Sequence, residues 1–357
     1  MLPALAIAEQ LVERGRAPRS IAFVASRRAI DERLLSVTDH PRLFLAVDGI
    51  QRSFAPRAVW RTVLAVPKMV IAVAIATRRL RIWQPRVVVS VGGFASEPAV
   101  RAARALNIPV VVVSYDVRPG LATRRQARHA AAVAVAFAGS KLPGARHTGA
   151  PVRNDIRRLV RSAARNDSAR VKAAELFGID PSRTVVVAMG GSLGSRTVNA
   201  AIESWVARNP RRSDVAVLHL VGERFINDEP SLPESEIRYV RRASHAMMSD
   251  VWCLADVVVC RAGASTIAEI ATVGVPALVL PWAESADAHQ TENARWLLDA
   301  GAAVVVGESE IPARFEAELT RLVDDPVVRE RLAAKAFALG GLNRSSAIGS
   351  LIESIAR

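Results

Sequence analysis

The chain has 357 residues, half of them hydrophobic and 23% charged, with 48 Lys and Arg against 34 Asp and Glu for a formal net charge of +14. That length favours two domains over one, and that composition excludes a disordered or collagen-like chain. Two cysteines, Cys253 and Cys260, exclude a disulfide scaffold and leave no second pair for a four-ligand metal site.

In chain order, residues 4–14 read as an amphipathic helix, with Pro3 suited to its first turn and Gly15 closing it. No basic start followed by an apolar core marks a secretory signal, so the expected compartment is the cytoplasm. β-Branched runs at 21–26, 43–47, 87–91, 110–113 and 133–137 read as strands. The apolar stretch 64–77 is broken by Pro67 and Lys68 and is too short to span a bilayer. A turn-rich Gly149-Ala150-Pro151 marks the domain break, giving domains 1–152 and 153–340 and a final helical segment, 341–357. Strands follow at 184–189, 215–221, 236–240, 256–260, 277–280 and 303–306. Helical stretches at 97–106, 196–207, 266–273 and 291–300 lie between strands. This alternation predicts an α/β protein of two doubly wound parallel sheets, with ligands at the carboxyl ends of the strands, in the cleft between the domains.

The charge is uneven. Residues 1–152 hold 23 basic and 8 acidic residues, and residues 153–357 hold 25 and 26. An excess confined to the first half points to a polyanionic partner, a nucleic acid, an anionic membrane or a phosphorylated substrate, unless it reflects only a high arginine usage with no specific partner. Aromatic residues at 5% and the lack of any nucleic-acid-binding signature argue against nucleic acid.

Three glycine-bearing segments carry candidate chemistry. Gly92-Gly93, between a strand and a helix, permits a tight turn and close approach of a ligand to backbone. Gly190-Gly191-Ser192-Leu193-Gly194 occupies the same kind of position, where backbone N–H groups and the Ser192 hydroxyl make an anion nest at a helix amino end. It lacks the lysine of a Walker A loop and the spacing of the dinucleotide fingerprint. Arg261-Ala262-Gly263-Ala264-Ser265-Thr266 opens a helix suited to a diphosphate. Glu269 lies either where a capping box places an acid after Thr266, or where a carboxylate accepts from ribose hydroxyls. Asp287, His289, Gln290 and Asn293 form a polar cluster suited to sugar hydroxyls, or an exposed loop.

Taken together with Pro3-Ala4-Leu5-Ala6, Pro119-Gly120-Leu121 and Gly149-Ala150-Pro151-Val152-Arg153, these motifs resemble the MurG family in order along nearly the whole chain. Those glycosyltransferases add N-acetylglucosamine to the lipid-linked muramoyl-pentapeptide of peptidoglycan. The resemblance implies a GT-B fold, two Rossmann-like domains facing across a cleft. It implies UDP-N-acetylglucosamine as donor, a polyprenyl-diphosphate-linked muramoyl-pentapeptide as acceptor, and a place on the cytoplasmic face of the bacterial plasma membrane. Donor contacts would come from Arg153, Ser192, Ala264, Ser265, Thr266, Ile267, Ala268, Glu269, His289 and Gln290. Glu269 would take the ribose, a backbone contact to uracil would fall near His245 or Ala246, and Asp116 stands at a further donor-side position. Gly92 and Gly93 would serve the acceptor side. No cofactor and no metal are implied, because helix amino ends and backbone N–H groups can stabilise a departing diphosphate.

Arg52, Arg57, Arg61, Lys68, Arg78, Arg79 and Arg81 surround an apolar 63–75, which makes this segment the candidate membrane face; a solvated helix over a core strip is the competing reading. The sequence departs from the family at Ser114-Tyr115-Asp116, where Asp116 replaces an Asn and adds a negative charge, and at Glu97, usually a small or apolar residue. The family's Gly-rich loop with its candidate base, a His, falls before the Pro-Ala-Leu-Ala stretch. The resemblance therefore implies a strand, a loop and the base upstream of Met1, and a misassigned start. A divergent or non-catalytic GT-B paralogue and a transferase acting on a secondary metabolite are the alternative readings.

Overall fold

The computed structural model describes residues 1–47, 56–159, 167–191, 193–230, 232–285 and 289–357; the side chains of residue 30 and residues 56–66 fall outside that description. Of the residues singled out above, Ser192, Asp287 and Arg52 lie outside the described residues, as do the side chains of Arg57 and Arg61. The chain divides into two compact units, Met1–Arg153 with Ser345–Arg357, and Asn154–Arg344.

The first unit opens with α1 (Leu2–Glu13), followed by β1 (Phe23–Ser26), α2 (Ala29–Ser36), β2 (Arg42–Leu45) and α3 (Pro56–Trp83). Then come β3 (Val88–Ser90), α4 (Glu97–Ala105), β4 (Val110–Ser114), α5 (Leu121–Ala127), β5 (Ala132–Val135) and β6 (Ala145–His147). β1 and β2 pair in parallel, and β3-β4-β5-β6 form a second parallel sheet in that order. Every residue of β4 and β5 is buried, as expected of strands covered on both faces. The C-terminal helix Ala347–Ile355 completes this core: Ile348, Leu351 and Ile352 pack with Ile7, Leu11, Val111 and Val113. Glu353 holds it to α1 through ion pairs with Arg14 (2.7 Å) and Arg16 (2.9 Å).

The second unit holds α6 (Asn154–Arg157), α7 (Ser168–Phe177), β7 (Thr184–Met189), α8 (Arg196–Arg208), β8 (Val215–Leu220), β9 (Arg238–Arg242) and α9 (Met248–Leu254). β10 (Val257–Cys260), α10 (Ala264–Val273), β11 (Ala277–Val279), α11 (His289–Asp299), β12 (Val304–Val305), α12 (Glu316–Asp324) and α13 (Pro326–Leu339) follow. Its six parallel strands run in the order β12-β11-β10-β7-β8-β9. β8 and β10 are buried throughout, whereas edge strand β9 buries only Val240 and carries Arg238, Arg241 and Arg242, charges that discourage further strand pairing. Trp205 and Trp252, both fully buried, are the largest side chains in its interior.

All eleven β-branched runs became strands within two residues of their expected limits, the run at 303–306 keeping only its middle pair. β6 was not anticipated: Ala145-Arg146-His147 has no β-branched residue and only one paired neighbour, so periodicity gives no sign of it.

Candidate functional site

In the second unit the strand order reverses between β7 and β10. The chain builds outward from β7 to β9, then returns to the other side of β7 with β10. Ligands of open α/β sheets bind beyond the carboxyl ends of the strands at such a switch point. Met189 pairs with Cys260, the last residues of the two strands, so the Gly190 and Arg261 loops leave the sheet side by side.

The loop after β7 is fixed by steric necessity. A Cβ on Gly190 would lie 2.3 Å from the Ser195 nitrogen, and one on Gly194 would lie 2.1 Å from the Val221 carbonyl oxygen, with φ +79° as well. The Gly194 N–H closes a turn on the Gly191 carbonyl at 2.9 Å. Ser195 is the N-cap of α8, and its hydroxyl accepts from the Val198 N–H. Arg196, the first residue of α8, lies over the Phe225 ring, and no acid occupies the first turn.

The loop after β10 ends at Gly263, which caps α10 without a side-chain hydrogen bond. The next three N–H groups are therefore those a ligand can take. Among the described residues, a Cβ at Gly263 would meet only the Thr266 hydroxyl, at 3.9 Å. Ser265, Thr266 and Glu269 keep partial exposure, and Ala264 is nearly buried. Ile267 and Ala268 lie in the core, and their side chains face no solvent. With Gly263 as N-cap, Glu269 is the sixth residue of α10 and forms no capping box; its Oε2 accepts the indole N–H of Trp252 at 3.0 Å.

Arg261, quoted above only as part of a motif, ties the strand ends together. It donates to the Ser195 hydroxyl (2.9 Å), the Leu280 carbonyl (3.1 Å) and Glu308 (2.6 Å), and Glu308 also accepts from Thr197. Burial opposes ionisation of Glu308, but the Arg261 hydrogen bond and charge and the Thr197 hydroxyl outweigh it and hold the carboxyl below its usual range. Asn293 on α11 donates to the Ala262 carbonyl at 3.2 Å. The Gln290 side chain accepts from the Trp282 N–H at 3.1 Å, and the partly exposed His289 begins α11.

Below the β7 loop lies a buried polar chain. His219 Nδ1 meets the Tyr239 hydroxyl at 2.6 Å and Nε2 meets Asn199 Oδ1 at 3.1 Å; the Asn199 amide donates to the Val221 carbonyl that packs on Gly194. An amide oxygen can only accept, so Nε2 carries the proton and Nδ1 accepts from Tyr239. Burial, aided by Arg241, pushes the His219 pKa down to about 3 and keeps the ring neutral. His245, on the β9–α9 loop, bonds Asp250 of α9 at 2.8 Å and stands edge-on to Phe177, with Ala246 exposed beside it.

In the first unit, Gly92 and Gly93 both have φ +79°, and a Cβ on Gly92 would strike the Thr123 hydroxyl at 2.6 Å. Gln126 organises this loop: its amide oxygen accepts from Ser90 (2.6 Å), and its nitrogen donates to Ser96 (3.0 Å) and Glu97 (2.9 Å). Glu97 thus has a structural task, which it shares with Arg101. Asp116 follows β4, where burial and then the Asp116 charge raise the Tyr115 pKa. Arg153 is ion-paired with Glu9 of α1 at 2.5 Å, so its charge is already matched within the first unit.

Residues 1–135 match the glycosyltransferase family 28 N-terminal domain and residues 184–345 its C-terminal domain. A UDP-N-acetylglucosamine–N-acetylmuramyl-(pentapeptide) pyrophosphoryl-undecaprenol N-acetylglucosamine transferase from Alkalilimnicola ehrlichii is 34% identical over 95% of this chain and 91% of its own. The protein of that name from Clavibacter michiganensis is 34% identical over 98% and 92%. The crystal structure of Acinetobacter baumannii MurG superposes with a TM-score of 0.71 over 99% of this chain and 95% of that one; at 24% identity it shows the GT-B fold. The chain belongs to the MurG family of glycosyltransferase family 28.

Proposed function

We propose that the protein transfers N-acetylglucosamine from UDP-N-acetylglucosamine to polyprenyl-diphosphate-linked N-acetylmuramoyl-pentapeptide, with inversion at the anomeric carbon. One observation carries the donor half of this reading: two glycine loops leave adjacent strands at the switch point, each opening a helix with no acid in its first turn. The acceptor half rests on the names of relatives that match along nearly the full chain.

The acceptor 4-hydroxyl attacks C1 of the donor sugar and gives up its proton to a base, the bond from C1 to the β-phosphate oxygen breaks, and UDP departs. Negative charge grows on that oxygen. The amino ends of α8 and α10 supply preorganised N–H donors and positive dipole ends where it develops. Glu269 accepts from the ribose hydroxyls, the backbone near Ala246 meets uracil, and His289 and Gln290 flank the sugar. Transfer of radiolabelled sugar into the lipid fraction is the expected result. UDP binding without transfer would favour a non-catalytic module.

The same reading puts the protein on the cytoplasmic face of the membrane, through α3. Met69, Ala72, Ala76 and Leu80 fill the core, yet Val70 is 64% exposed, Ile71 59% and Ile82 62%. Lys68, Arg78, Arg79 and Arg81 flank these apolar residues. Each cation near an anionic leaflet contributes about 1 kcal/mol. No helix among the described residues is long and apolar enough to cross a membrane. Replacing Arg78, Arg79 and Arg81 with Glu should abolish sedimentation with anionic liposomes; undiminished binding would refute this face.

A further inference from the structure

We infer that Trp252 is a positioning residue for donor recognition: its indole N–H holds the Glu269 carboxylate in the orientation that accepts the ribose hydroxyls. This deepens the proposed donor site and rests on Glu269 meeting the ribose.

Trp252 lies on α9 and is fully buried. A buried indole has one polar atom and one donor to place. Here it is given to a partly exposed carboxylate on the neighbouring helix, 3.0 Å away. A charge-assisted bond of this kind is stronger than a neutral one. Glutamate has three rotatable bonds, and holding it before the ligand arrives lowers the entropy lost on binding.

The anchor itself is rigid. Val251 and Leu254 are buried beside Trp252, and Asp250 of the same helix bonds His245. α9 therefore fixes two parts of the donor site at once: the β9–α9 loop through Asp250, and Glu269 through Trp252. Phenylalanine at 252 would fill most of the space and lose only the donor. Glu269 would then lose the orientation that the indole N–H supplies.

The test is calorimetric titration of the full chain with UDP and with 2′,3′-dideoxy-UDP, for wild type, Trp252→Phe and Glu269→Gln. The expected result is that both variants weaken UDP about tenfold and leave dideoxy-UDP unchanged. Equal losses for both ligands in Trp252→Phe would mean a packing role and overturn the inference. Unchanged UDP binding in Trp252→Phe, with a loss in Glu269→Gln, would overturn it and leave the ribose contact standing. Wild-type affinity for UDP in Glu269→Gln would remove the ribose contact and the inference with it. Should Trp252→Phe not fold, the wild-type indole N–H resonance decides: a shift with UDP but not with dideoxy-UDP supports the role, and the same response to both contradicts it.

Discussion

The loop after β3 and the loops after β7 and β10 share one local pattern, a parallel strand, glycines and a helix, yet they differ in what stands at the helix amino end. At α4 the first turn carries Glu97, and the loop's polar groups are spent on Gln126, Ser96 and Arg101. At α8 and α10 no acid is present, and Gly263 leaves its helix without a side-chain cap. A carboxylate in the first turn already answers the positive end of the dipole, whereas a helix without one favours an anion. Glycine spacing alone does not distinguish the two cases. The charge of the first turn does.

Breaking the β7 loop should have the largest effect. Gly194→Ala puts a Cβ onto the Val221 carbonyl at a positive φ, so backbone strain of about 1–3 kcal/mol is expected. Displacing the N–H groups should weaken UDP binding by about a hundredfold. Wild-type affinity in that variant would mean the loop is not the phosphate cradle.

Ser265→Asp sharpens the comparison by giving α10 the kind of acid α4 already has. UDP binding should fall about thirtyfold through repulsion near a diphosphate, with folding stability kept or raised by up to about 1 kcal/mol. Glu97→Gln should leave UDP affinity unchanged. Equal responses in the two variants would erase the distinction between the loops.

A separate effect, on stability rather than on binding, concerns the floor beneath the β7 loop. Folded His219 has its pKa lowered from 6.5 to about 3, so between those values the unfolded chain binds the extra proton. Its contribution to stability is therefore complete above pH 6.5 and declines as the pH falls towards 3, by at most about 1.4 kcal/mol per unit. In His219→Gln, denaturation midpoints followed between pH 7 and 4 should lose that part of the slope. An unchanged slope would place the acid sensitivity elsewhere.

Much of this architecture was legible because parallel strands advertise themselves. Runs such as Val110–Ser114 and Thr184–Met189 are apolar, β-branched and separated by helical stretches. The two glycine loops were legible for the same reason, since Gly190 and Gly263 stand just beyond such runs. The side chains that brace the site were not. Arg261 reaches Ser195, 66 positions earlier, and Glu308, 47 positions later; His219 meets Asn199 and Tyr239, each 20 positions away. Only the strand order joins these residues, and sequence spacing does not disclose it. Ile267 and Ala268 show the converse: the motif includes them, but helical geometry turns them into the core. The one available signal for Arg261 was a charged residue directly after a fully buried strand.

The central claim is that the amide-lined helix ends of the second unit hold the diphosphate of a uridine donor. Calorimetric titration of the full chain with uridine, UMP and UDP tests it most directly. Affinity should rise at each added phosphate, with the last step lost in Ser265→Asp. Uridine binding as tightly as UDP, or no heat with any of the three, would contradict it.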